Sequence, residues 1–296
     1  MNQTLIKTGK KGHLILIGGA EDRKDDKIIL KKIVELNNAK TVTVVPSASC
    51  YPTGVSEDYY HAFKSLGVEN IQIFDIREPA EADQDKYIKD IEKSDLVFFT
   101  GGDQVKLFHV FRNSELLDKI KDLHFNHELN IAGTSAGAAV ASNPMIYDGN
   151  IHGMKKGSVH FSEGFGLLKD ITIDTHFISR GRLGRLTQFL CTGITSYGIG
   201  LGENTAIFIN PENIFESEIL FPSRINQEID WDTVNRLASE NADFNDFLKL
   251  ITEDCKLGKV KSQYDKVLKM EELTKYIKDK GINNAHNRVY GPASNR

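Results

Sequence analysis

The chain has 296 residues, enough for one large domain or a domain with an appendage, and its 40% hydrophobic and 26% charged residues are ordinary for a globular protein. A formal net charge of −4 argues against a general nucleic-acid binder, which gathers Lys and Arg on one face, and is too faint to select a ligand by field alone. Cys50, Cys191 and Cys255 have neither CxxC nor Cys/His spacing, which argues against a disulfide frame or a zinc site and places the expected thiols in a reducing cytoplasm.

The apolar run Leu14 to Ile17 is too short for a signal-peptide core, and no stretch nears the roughly 20 apolar residues of a membrane span. Leu14-Ile15-Leu16-Ile17 instead reads as a buried strand ending in Gly18-Gly19. From about Asp26 to Leu36, Ile28, Ile29, Leu30, Ile33, Val34 and Leu36 recur at helical spacing. Thr41 to Val45 is β-branched and stopped by Pro46, so it predicts a second strand. A helix is expected over Glu57 to Leu66, a strand over Ile71 to Phe74, and an acidic helix from Pro79 to Ile91 with proline in its first turn. Leu96 to Phe99 is the next strand, again ending in glycines, Gly101-Gly102. Beyond it, Ile171 to Ile173, Tyr197 to Leu201 and Ala206 to Ile209 read as strands. From Trp231 the chain reads as lysine-rich helix, closing in a frayed tail after Asn284.

Apolar strands alternating with helices predict an α/β fold, a mostly parallel sheet covered by helices on both faces. Residues 1–230 are expected to form the catalytic domain and 231–296 a helical extension and tail. In such sheets ligands gather outside the carboxyl ends of the strands. Three of those ends carry unusual residues: Gly18 to Asp22, Gly101 to Gln104, and Gly133-Thr134-Ser135-Ala136-Gly137 after Asn130-Ile131-Ala132.

A serine flanked by glycines two residues away on each side, between a strand and a helix, is a nucleophile-elbow pattern. Tight helix–strand packing alone would use the same small residues, but the strand before and the helix expected over Ala136 to Ser142 favour Ser135 as nucleophile. The Ala136 N–H then becomes an oxyanion donor. Such a serine needs a base and the base an orienting acid. Of nine histidines, His13, His61, His109, His124 and His127 fall where structural or exposed roles are expected, His152 and His160 in a polar loop, and His286 in the tail. His176 stands at a strand's carboxyl end in Asp174-Thr175-His176-Phe177, and Glu203 sits between glycines and a strand. The order Ser, His, Glu differs from the Ser, acid, His order of α/β-hydrolases. Arg180, Arg182 and Arg185 crowd just beyond His176, and arginine suits bidentate carboxylate recognition; salt bridges to nearby acids are the ordinary fate of such a run.

These segments, taken in order over roughly residues 12 to 210, resemble the cyanophycinases and, more distantly, the aspartyl dipeptidase called peptidase E, members of one serine peptidase family. The resemblance rests on Ile17 to Asp22, Thr100 to Gln104, Gly133 to Ala138, Asp174 to Leu186 and Gly202 to Ala206. It implies a fold like class I glutamine amidotransferases and a Ser135, His176, Glu203 triad. It also implies a second oxyanion N–H from Gly102 and a substrate site shaped by Gln104, Asp174, Arg180, Arg182 and Arg185. Cyanophycinases cut a poly-aspartate backbone carrying arginine on each side chain, releasing β-Asp-Arg dipeptides, and the resemblance implies that this chain is an exopeptidase of that kind, a homodimer using no metal or organic cofactor. One departure stands out: where similar cyanophycinases carry Gln before the base, this chain has Thr175, shorter and without the amide. In the reading the resemblance supports, acidic residues at the mouth, Glu21 or Asp22, meet substrate guanidiniums. An aspartyl dipeptidase and a non-catalytic binding member are the alternatives.

Overall fold

The structure, a computed structural model, describes residues 11–149, 159–209 and 218–220. The expected C-terminal extension, the boundary at 230, His152, His286 and Cys255 lie outside the described residues.

The strands are β1 (Leu14–Ile17), β2 (Thr41–Val45), β3 (Asn70–Ile73), β4 (Leu96–Phe99), β5 (Asn130–Thr134), β6 (Met145–Gly149), β7 (Val159–Ser162), β8 (Ile171–Asp174), β9 (Tyr197–Gly200), β10 (Ala206–Ile209) and β11 (Glu218–Leu220). The helices are α1 (Ile28–Asn37), α2 (Pro52–Ser65), α3 (Pro79–Ala82), α4 (Asp85–Asp90), α5 (Gln104–Phe111), α6 (Glu115–Asn126), α7 (Ala136–Ala139) and α8 (Leu183–Leu190). The main sheet runs β11-β10-β1-β5-β4-β2-β3. Strands β1 to β5 are parallel, while β10 lies antiparallel to both β1 and β11.

Alternation within each buried strand divides the core between the two faces. Ile15 and Ile17 of β1, Val42 and Val44 of β2 and Leu96 and Phe98 of β4 pack with Ile29, Leu30 and Ile33 of α1 and Tyr59 and Phe63 of α2. Leu14, Leu16, Val97 and Phe99 face the other way, against Leu107 and Phe111 of α5 and Leu116 and Ile120 of α6. Both faces are therefore dry, which is why β1 and β4 are apolar at every position and β2 is β-branched throughout.

Several elements depart from expectation. Helix α2 begins at Pro52, five residues early, because proline is at home in the first helical turn. The acidic helix is broken: α3 stops at Asp83, whose carboxylate accepts the Glu115 N–H at 2.8 Å and so starts α6 rather than extending its own helix. The helix after Ser135 is one turn long, ending at Ala139 instead of Ser142. Strands β8 and β9 pair parallel in a small separate sheet, and β6 with β7 form an antiparallel pair. No described helix is long and apolar enough to cross a membrane.

Candidate active site

Ser135 stands at the carboxyl end of β5 with φ 52° and ψ −108°, a conformation closed to most L-residues and stabilised only by what surrounds it. The turn needs glycine on both sides. A Cβ at Gly133 would stand 2.3 Å from the Gly137 carbonyl oxygen, and one at Gly137 would stand 2.2 Å from that of Phe99. Ala138 and Ala139 donate their N–H groups to the Ser135 carbonyl at 3.1 and 2.9 Å, closing the first turn of α7.

His176 Nε2 lies 2.8 Å from Ser135 Oγ, and its Nδ1 lies 2.6 Å from Glu203 Oε1. Nδ1 therefore carries the proton donated to the carboxylate, and Nε2 is left to accept from the serine. Ser179 Oγ donates to the same Glu203 oxygen at 3.0 Å. The His176 hydrogen bond holds the Glu203 carboxyl below its ordinary range against the opposing effect of burial, with Ser179 and the charge of Arg180 assisting. The acid stays ionised beside the ring.

These residues come from three distant segments, and the end of β1 with the two glycines after it gathers them. The Ile17 carbonyl accepts the Ser135 N–H at 3.0 Å, Gly18 accepts His176 N–H at 2.8 Å, and Gly19 accepts Asn204 N–H at 2.8 Å. Three consecutive carbonyls thus seat the serine, the histidine and the residue next to the acid. Gly19 must be glycine. Its φ is 101°, and a Cβ there would meet Cε1 and Nε2 of His176 at 2.4 and 2.5 Å. In the sequence the Gly18 to Asp22 segment reads as a ligand loop; its role as the seat of the histidine is visible only in the fold. The signal was available only as glycine pairs after a strand.

The loop after β4 borders the serine. A Cβ on Gly101 would be 3.3 Å from Ser135 Cβ. Gly102 follows with φ 144°, packed on the Ala48 carbonyl, and Asp103 caps α5 by accepting from Val105 and Lys106. Among the described residues, neither the Gly102 nor the Ala136 N–H donates to a protein acceptor.

The remaining expected site residues divide. Asp174 accepts Arg185 Nε at 3.0 Å and Arg185 Nη2 by a shorter contact, both side chains being buried. Arg182 Nη1 donates to the Thr175 carbonyl at 2.7 Å and reaches Asp174 at 3.4 Å. Burial, then the neighbouring Arg185 charge, brings the Arg182 guanidinium down to about 10. The expectation that this cluster faces an acidic ligand is thus corrected for Arg185, because its fork is already occupied by Asp174 and withdrawn from solvent. Thr175 is buried too and meets Arg182 through its backbone. Gln104 directs its amide nitrogen to the carbonyls of Ile146 and Tyr147, at 3.4 and 3.2 Å. Arg180 is exposed.

Glu21 and Asp22 do not fit a mouth that meets guanidiniums. Glu21 is buried, accepting from Thr134 Oγ1 at 2.6 Å and from the Tyr59 hydroxyl. Asp22 is opposed by burial, yet the backbone N–H groups of Asp25, Lys27, Lys24 and Asp26 bring its carboxyl down to about 2. Its own N–H donates to Asn204 Oδ1 at 3.2 Å. Of the other histidines, His124 is buried and bonded to the Leu129 carbonyl, and its burial lowers its basicity. Among the described residues no group of His, Cys, Asp and Glu is arranged to hold a metal ion.

The model of peptidase family S51 matches residues 14–216. A cyanophycinase of Geminocystis herdmanii is 31% identical over 208 residues, covering 69% of this chain and 76% of that protein. A cyanophycinase of Trichormus variabilis is 34% identical over 202 residues, covering 67% and 68%. The crystal structure of a peptidase from an acI-B1 Actinobacterium superposes with a TM-score of 0.59 at 19% identity, over 73% of this chain and 90% of that one.

Proposed function

Because the chain belongs to peptidase family S51 and is a serine-type peptidase, we propose that Ser135, His176 and Glu203 are its catalytic triad and cyanophycin its substrate. The observation that carries the triad is the continuous path from Ser135 Oγ through both ring nitrogens of His176 to Glu203, 2.8 and then 2.6 Å.

In this reading Ser135 Oγ attacks a backbone carbonyl carbon of the poly-aspartate chain while His176 Nε2 takes the hydroxyl proton. The N–H groups of Gly102 and Ala136 receive the oxyanion, a role open to donors with no protein acceptor. The tetrahedral intermediate collapses, the C–N bond breaks, and His176 returns its proton to the leaving amine. Water then attacks the acyl-enzyme by the same route in reverse and frees Ser135. Glu203 holds the Nδ1 tautomer throughout.

Arg180, exposed two residues past the Ile178 side chain and unlike Arg185 not occupied by Asp174, is the guanidinium proposed to meet an aspartate carboxylate. Asp174, Arg182 and Arg185 would shape the site from behind by setting where β8 ends. The names of the two curated relatives and the arginine beside the base support cyanophycin over other substrates. Homodimer formation and a cytoplasmic setting belong to the same proposal.

Incubation with cyanophycin tests it. The expected product is β-Asp-Arg, detected by mass spectrometry with wild type and absent with Ser135→Ala. Cleavage of Asp-Xaa dipeptides with the polymer left intact would move the substrate to that of an aspartyl dipeptidase. Polymer cleavage that survives Ser135→Ala would remove the triad itself.

A further inference from the structure

Glu21 is a buried carboxylate that the reaction above does not use. A carboxylate taken out of water is costly unless donors meet it, and here both oxygens are met by hydroxyls, Tyr59 on α2 and Thr134 at the end of β5. The 2.6 Å separation from Thr134 Oγ1 is that of a hydroxyl donating to a carboxylate, a stronger bond than one between neutral groups. Tyr59 is itself buried against Phe63 and Phe98, so its hydroxyl is held in place. Burial, followed by the charge of Glu21, pushes that phenol well above its ordinary range, so it remains a donor.

Thr134 immediately precedes Ser135, whose φ of 52° and ψ of −108° are strained and persist only when neighbours over-determine them. On its far side the serine is held by the first turn of α7. On its near side β5 is held to β1 by the ladder, in which Thr134 pairs with Ile17. The pairing with β4 reaches only to Gly133, so at Thr134 the ladder holds the strand end from one side. The hydrogen bond that Thr134 donates to Glu21 adds a second anchor, tying this position to α2 through Tyr59.

We infer that Glu21 is a positioning residue, bracing the strained turn at Ser135 through the Thr134 hydroxyl. The inference rests on Ser135 being the nucleophile. It predicts that the hydroxyl of Thr134, and not merely its volume, governs the reactivity of Ser135.

The experiment measures the rate at which a fluorophosphonate labels Ser135 in the full chain, by intact mass and peptide mapping, together with thermal melting. Thr134→Val keeps the shape and removes the donor; it is expected to slow labelling by about tenfold or more, the scale of a sub-ångström misplacement. Thr134→Ser restores the hydroxyl and is expected within about threefold of wild type. Ile33→Val, in the same core but outside the hydrogen bonds and their supports, lowers the melting temperature and leaves the labelling rate unchanged. Glu21→Gln, with one acceptor oxygen in place of two, slows labelling by a smaller factor and decides the matter should Thr134→Val not fold. Wild-type rates in both Thr134→Val and Glu21→Gln overturn the inference, as does slowing in Ile33→Val that tracks its lost stability. Wild type that takes up no label at Ser135 overturns the nucleophile assignment beneath it, an outcome distinct from either.

Discussion

Asp174 receives the Arg185 guanidinium through both of its oxygens, with the two side chains 1% and 4% exposed. A pair so deep is stabilising only while complete, since removing one partner strands the other charge out of water. Arg185→Ala and Asp174→Ala are each expected to lose about 3–5 kcal/mol of stability in urea unfolding. A double Asp174→Leu, Arg185→Met variant should recover much of that loss. Equal and additive losses in the double variant would contradict the pairing.

Arg180 should behave oppositely. Exposed and unburdened by Asp174, it is expected to change stability by no more than about 0.5 kcal/mol when replaced by alanine. If Arg180 meets an aspartate carboxylate as proposed, the same change raises KM for cyanophycin with little effect on kcat, the loss expected of a contact made equally to substrate and transition state. A fall in kcat at constant KM would instead place Arg180 at the reacting bond.

Gly19→Ala introduces a methyl group where the His176 ring already stands, 2.4 Å from the ring's Cε1, at a φ of 101° that alanine resists. The ring must move. Loss of about 100-fold in kcat is expected, with far-ultraviolet circular dichroism unchanged, because the displacement falls on the base while the sheet is intact. Near-normal kcat would show that the loop yields and the ring does not.

Glu203 supplies a pH signature. Its carboxyl is held below the ordinary value of 4.5 by the His176 hydrogen bond, so its contribution to stability is present above that value and fades as pH falls through the folded one. The melting temperature of wild type should therefore exceed that of Glu203→Gln by a constant amount near neutrality, and the gap should close in acid. Ser179→Ala, which removes one donor to the carboxylate, should make the gap close at a higher pH. Activity of Glu203→Gln is expected to drop by up to about 10⁴-fold, the scale of a misheld imidazole tautomer.

Much of this molecule could be read from its residues, and the misses have physical causes. Strands buried on both faces, such as Leu14–Ile17 and Leu96–Phe99, announce themselves by being apolar throughout. That same uniformity hides direction: Ala206–Ile209 looks like its parallel neighbours yet runs antiparallel to β1. The acidic stretch from Pro79 kept helical spacing, but Asp83 was drawn to the Glu115 N–H, a partner 32 residues away. Ser135, His176 and Glu203 are legible as candidates because each follows or precedes a strand end, with glycine close by for Ser135 and Glu203. The division of labour among the arginines was not. Nothing local tells Arg180 from Arg185 until α8 turns the latter towards Asp174. Glu21 misled for the same reason: a charged residue in a glycine loop reads as exposed, and only the fold shows Thr134 and Tyr59 closing over it.

The three carbonyls of Ile17, Gly18 and Gly19 have a consequence for motion. Serine, histidine and acid arrive on separate arms of the chain, and on independent mounts their thermal excursions would add. Fastened, the acid through its neighbour Asn204, to the last residue of a strand ladder-bonded on both sides and to the two glycines that follow it, they share one displacement. When β1 shifts, the group travels as a unit and the distances within it are preserved. Alignment of the proton path is then insensitive to breathing of the sheet, and disorder in the outlying loops can be tolerated so long as this one tripeptide stays in register.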